Sequence, residues 1–225
     1  MEKLLLLVVT MAATINYLSA GKLLVLSAAY TFESPSYSVV HLESDFEIRL
    51  YKEISWMSAL VHGTSFLNST RDGFHRLYQY LHGANLNSTH FSMTKPVLTS
   101  ISPSHHGSSS SSYTVRYYLP SEYKYKSPPQ PSAELNLQLD KWKSQCIAVR
   151  KFSGYANDDN VEKEKDALVS SLTKRLPALM QAVENNLYYN YSIAQYNASK
   201  HRTGRINEVW MDVSGFTAEG CPVKL

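Results

Sequence analysis

The sequence predicts an α+β fold: a distorted antiparallel β-barrel of two pseudo-symmetric strand-helix-strand-strand halves, flanked by two helices. Three observations carry this. Short β-rich runs bounded by turn residues recur along the chain. Two segments switch to helical period. The order of these pieces repeats on either side of a proline-rich joint, Lys126 to Ser132, with Pro128, Pro129 and Pro131.

In the first half, Tyr37 to His41, Phe46 to Tyr51 and Trp56 to Val61 read as strands. Arg71 to His82 takes helical period, with Phe74, Leu77, Tyr78 and Leu81 recurring and Gly83 as a stop. Pro96 to Ile101 and Tyr113 to Leu119 follow as strands, joined by a serine-rich hairpin tip, Ser102 to Ser112. His105-His106 in that tip lacks a third metal ligand nearby and reads as surface loop. In the second half, Cys146 to Phe152 is a strand. Asp158 to Leu176 is a helix, with acids at its start and Lys174-Arg175 at its end to suit the dipole. Tyr191 to Tyr196 and Glu208 to Val213 close the pattern.

The N-terminus reads as an address. Lys3 precedes an apolar run from Leu4 to about Ala13, as in a secretory signal. This predicts a signal peptide over 1–20, or cleavage as late as Ala29 after a second apolar run, then one domain over 30–214 and a tail over 215–225. A membrane anchor is the competing reading. Asn16, Gly21 and Lys22 interrupt the run, whereas a span needs ~18 unbroken apolar residues. No later stretch is apolar enough to span, so no membrane span is expected after signal cleavage. Four N-glycosylation sequons begin at Asn68, Asn87, Asn190 and Asn197. Together they point to the secretory pathway, with an extracellular or vacuolar destination. In that compartment Cys146 and Cys221 are expected to pair, against the alternative of two buried thiols.

Composition narrows the function. The 225 residues are 44% hydrophobic, enough for a core, and 18% charged. A net charge of +3 lacks the dense basic footprint of a nucleic-acid binder, and no nucleic-acid partner is expected. Two cysteines cannot build a four-thiolate zinc site. There is no His-Glu-x-x-His, nucleophile elbow, P-loop or Rossmann glycine pattern, so the expectation is not an enzyme. Sixteen tyrosines, against seven Phe and three Trp, suit strands with one wet and one apolar side.

Phe46-Glu47-Ile48-Arg49-Leu50-Tyr51, Gly73-Phe74-His75-Arg76-Leu77-Tyr78, Gly83-Ala84-Asn85, Met93-Thr94-Lys95-Pro96-Val97 and Asn207-Glu208-Val209-Trp210 occur in that order. In this the chain resembles the SOUL, or haem-binding protein, family over about Tyr37 to Val213, and most of all its secreted plant members. The resemblance implies a barrel of two halves with two helices. It also implies binding of haem or another tetrapyrrole as a ligand, carried, buffered or scavenged. The positions matching the family's ligand face are Arg71, Phe74, Tyr78 and Gln79 on the first helix and His201 in the loop before the last strand, with Lys200 and Arg202 beside it. Where some members carry a histidine ligand after the strand arginine, this chain has Leu50, which leaves His75 or His82 as substitutes.

A flat apolar plate with carboxylates on one edge wants an aromatic wall beside a cationic rim. On a helical wheel Arg71, His75, Tyr78 and His82 form a stripe roughly 60° wide beside Phe74, Leu77 and Leu81. The same spacing fits plain core for the apolar residues and a solvated face for the basic ones. Two other functions stay open at this point: an enzyme acting on a small apolar substrate in the barrel cleft, and a protein–protein module.

Overall fold

The computed structural model describes residues 32–102, 111–177, 190–198, 203–213 and 220–222. In chain order its elements are β1 (Tyr37–Leu42), β2 (Glu47–Tyr51), β3 (Ile54–Gly63), α1 (Phe66–Leu81), β4 (Val97–Ser102) and β5 (Ser111–Tyr118). Then come β6 (Leu137–Trp142), β7 (Gln145–Ser153), α2 (Asp158–Arg175), β8 (Tyr191–Gln195) and β9 (Ile206–Asp212). The strands form one curled sheet in the order β1-β2-β7-β9-β8-β4-β5-β3-β6, antiparallel at every pairing.

From β2 onward this order is a palindrome. Exchanging β2 with β6, β3 with β7, β4 with β8 and β5 with β9 reverses it. The two expected halves are present, and each is longer by a leading strand. That strand pairs with the other half: β2 lies on β7, and β6 on β3. The halves therefore interlock. Strand β6 falls outside the sequence pattern, because Asp140 and Lys141 interrupt the apolar signal of Leu137-Gln138-Leu139 just after the prolines. It is an edge strand with half of its residues exposed, a position where charge is favoured.

Helix α1 begins five residues before the predicted Arg71. Ser65 is its N-cap, accepting from Asn68 N at 3.3 Å. The first turn carries no acid of its own. Asp158, which opens α2, supplies the carboxylate. It accepts from Phe66 N at 2.5 Å, Leu67 N at 3.3 Å and Ser65 Oγ at 2.9 Å. Asn68, Ser69 and Thr70 break the apolar stripe and so hide this first turn from the periodicity. Ser69 and Thr70 are nonetheless buried, and Thr70 bonds Thr99 of β4 at 3.0 Å. Gly73 lets α1 approach the sheet, since a Cβ there would lie 2.4 Å from a Val115 methyl. Helix α2 opens with a capping box between Asn157 and Asn160 and buries Val161, Leu168, Val169 and Leu172.

The sheet thus has two unlike faces. Its outer face is largely apolar, packed by Leu77, Tyr80 and Leu81 under α1 and by Leu168, Val169 and Leu172 under α2. Its inner face is aromatic and charged. There Trp56, Tyr51, Tyr118 and Trp210 pack around Leu98 and Ile147. Cys146 is bonded to Cys221, 75 residues on, tying the C-terminal segment to β7.

Among the inner residues, Arg49 of β2 is only 1% exposed. It meets Glu208 of β9 through two bonds, 3.0 Å and 2.8 Å, and donates to Tyr51 Oη at 3.1 Å and to Glu47 at 2.9 Å. Tyr196 Oη and Trp210 Nε1 each donate to Glu208 at 2.7 Å. The ring of Tyr37 lies 4.2 Å from the guanidinium carbon. Burial works against the charge on Arg49, and the bonds and field of Glu208 overrule it, holding the group above its usual range. Burial pushes the hydroxyls of Tyr51 and Tyr196 well up, so both stay protonated, Tyr196 donating to Glu208 and Tyr51 accepting from Arg49. The pseudo-symmetric strands β6 and β5 carry an ion pair of reversed polarity, Asp140 with Arg116 at 2.6 Å. Arg49 sits opposite Ile147 of β7, and Asp140 opposite Trp56 of β3. Each reaches past that neighbour to the next strand.

Removing one partner of such a pair strands the other charge. Arg49→Met is expected to cost ~3–5 kcal/mol in urea unfolding. Arg49→Met combined with Glu208→Gln is expected to cost less than Arg49→Met alone. The second change removes the stranded charge, and its amide oxygen still accepts from Tyr196 and Trp210. A loss below ~1 kcal/mol for Arg49→Met contradicts this reading.

Candidate functional site

Five sequence-predicted residues, Arg71, Phe74, His75, Tyr78 and Gln79, lie together on α1, on its outward side. His201, with Lys200 and Arg202, lies outside the described residues, as do His105-His106 and positions 1–31. Tyr78 is 46% exposed although it is a large aromatic side chain. Its ring stacks on His82 with centroids 3.9 Å apart, and Phe74 follows at 6.3 Å. Phe74 is half-buried and packs against the core beneath α1, so it serves both core and face. Arg71 is exposed, 3.6 Å from the exposed Asp72, an ion pair of little weight in water. Arg76 turns away and donates to the carbonyls of Leu60 (2.6 Å) and Leu135 (3.3 Å). Leu67, exposed at 54%, extends the face by one turn. Sequence reasoning missed it by starting the helix late; Ser65 as an N-cap was the available signal.

Two hydrogen bonds set the histidines of this face. His82 Nδ1 lies 2.8 Å from the Tyr78 carbonyl, one turn back. His75 Nδ1 lies 3.3 Å from Gln79 Nε2.

A concavity opens on the inner face of the sheet. Its volume is about 250 Å³, and its lining includes Trp142, Trp210, Ile147, Ser100, Ser192 and Gln145. Arg116 donates to Ser100 Oγ at 2.5 Å, and Ser100 bonds Ser192 at 2.7 Å. This space falls below the ~300–1,000 Å³ of pockets for drug-sized ligands. A tetrapyrrole is at the large end of that class. Among the described residues that line it there is no histidine, cysteine or lysine.

The model of the SOUL heme-binding protein family matches residues 32–212. The chain belongs to this family. Heme-binding protein 2 of Homo sapiens is 26% identical over 189 residues, covering 82% of this chain and 88% of that protein. Heme-binding protein 1 of Xenopus laevis is 30% identical over 165 residues, covering 73% of this chain and 82% of that one. Among solved structures, the C-terminal domain of EcmrR matches with a TM-score of 0.45 at 12% identity, covering 78% of this chain and 96% of that one.

The SOUL motifs divide by role in this fold. Glu47 to Tyr51 and Asn207 to Trp210 meet inside the sheet as the Arg49–Glu208 cluster. In Met93 to Val97, Thr94 Oγ1 donates to the Tyr118 carbonyl at 2.6 Å, and a cis Lys95–Pro96 bond leads into β4. Only Gly73 to Tyr78 presents side chains to the outside. Leu50 packs against the core cluster that includes Leu168, Val169 and Leu172 of α2.

Proposed function

We propose that the protein binds haem or a related tetrapyrrole on the outward face of α1, as a secreted carrier, buffer or scavenger. Family membership and the haem-binding names of its relatives support the ligand class. The observation that carries the location is the exposed Tyr78 ring, stacked on His82 and flanked by Phe74 and Leu67. A flat apolar plate laid there removes aromatic and aliphatic surface from water at about 25 cal/mol per Å². Arg71 offers the propionates a cation at the rim. The inner face competes poorly, because the space there is only about 250 Å³. A binding role needs no nucleophile and base in register.

Secretion is supported by the Cys146–Cys221 bridge, since disulfides persist in oxidising compartments. Asn68, Asn87 and Asn190 are exposed, as a glycan requires, whereas Asn197 Oδ1 accepts from Ile206 N at 2.8 Å.

Titration with hemin is expected to give a saturable Soret change at micromolar concentration. Tyr78→Ala with Arg71→Glu is expected to weaken it about tenfold or more, from lost aromatic contact and reversed charge. No saturable change overturns the reading. Expressed in a eukaryotic secretory host, the chain is expected in the medium with a glycosidase-sensitive mass that Asn87→Gln lowers. A cytosolic chain with no such sensitivity overturns the secretory part.

A further inference from the structure

A haem docked on α1 brings an iron whose axial position accepts a lone pair from the protein. Resting on the docking face argued above, we propose that His82 supplies this ligand through Nε2.

A carbonyl oxygen only accepts, so the 2.8 Å contact between His82 Nδ1 and the Tyr78 carbonyl places the proton on Nδ1. In the neutral ring Nε2 then carries the lone pair. Ligating histidines characteristically donate their other N–H to a backbone carbonyl or carboxylate in this way. His75 lacks such a fixed acceptor: its Nδ1 faces the side-chain amide of Gln79 at 3.3 Å, a group that presents both a donor and an acceptor. Of these two histidines, only His82 has its Nδ1 proton held by a carbonyl.

Position and rigidity agree. His82 is exposed at the C-cap of α1. The Tyr78 ring lies against the imidazole at 3.9 Å and 28°, which makes Tyr78 a positioning residue for the ring. Coordination forms one dative bond from Nε2 to iron. In the neutral ring the Nε2 lone pair is available, so no bond breaks in that step. His90 lies edge-on, 6.3 Å from the His82 ring, and is the nearest competitor.

The test compares hemin with metal-free protoporphyrin on the full chain, read by absorption and electron paramagnetic resonance. His82→Ala is expected to cost hemin affinity at least about tenfold more than it costs protoporphyrin, as loss of a metal contact does. Its Soret band is expected to lose the histidine-ligated form and to regain it on adding imidazole. His75→Ala and His90→Ala are expected to keep the ligated spectrum. An unchanged hemin spectrum in His82→Ala, or transfer of the loss to His75→Ala or His90→Ala, overturns this assignment alone. Wild-type protein that binds neither compound overturns the docking face and the assignment together.

Discussion

Arg49 and Glu208 meet inside the curled sheet, and they come from opposite halves of the chain. Their bond spans 159 residues of sequence and joins a swapped strand to the half it invades. Two charges in so dry a place contribute little net stability, because desolvation offsets attraction. What such a pair does supply is intolerance of error. Any register in which β2 slips along β7 leaves a guanidinium or a carboxylate buried alone. Tyr51, Tyr196 and Trp210 complete the cluster with their polar tips and fill the space around it.

That choice has consequences on the other side of the sheet. An interior occupied by these rings and charges leaves a space of about 250 Å³, too small for a large plate. The two helices cover the outer face, and α1 is pulled in tightly by Gly73 and capped by Asp158 from the opposite half. Its inward side is spent on packing, so any large ligand meets its outward side. The Phe74, Tyr78 and His82 rings stand there because the helix beneath them is fixed from both halves of the chain. Fold and site are linked through this one helix.

Much of this was legible in the residues. Alternation placed most strands, a change of period placed both helices, and the repeat about the prolines revealed two halves. Alternation also put Tyr117 and Tyr118 on opposite faces, and they are: Tyr117 packs under α1, with burial pushing its hydroxyl up to about 12, and Tyr118 packs inside. The swap was not legible, because β6 mixes charge into its pattern and pairs with a strand of the other half. Nor was the partner of Arg49, since pairing across the sheet leaves no trace in local spacing. The unusual tyrosine content now divides by duty. Tyr51 and Tyr196 serve the buried charges, Tyr80 and Tyr117 serve the core, and Tyr78 faces out.

The claim that the ligand lies on the helix and not in the sheet is tested most directly by its paramagnetism. Hemin added to nitrogen-15-labelled protein broadens nearby amide signals, and zinc protoporphyrin serves as the diamagnetic reference. Broadening is expected to centre on Leu67 to His82 of α1, with the indole signals of Trp142 and Trp210 sharp. Broadening centred on those two indoles and on the Ser192 amide, with α1 unaffected, would contradict it.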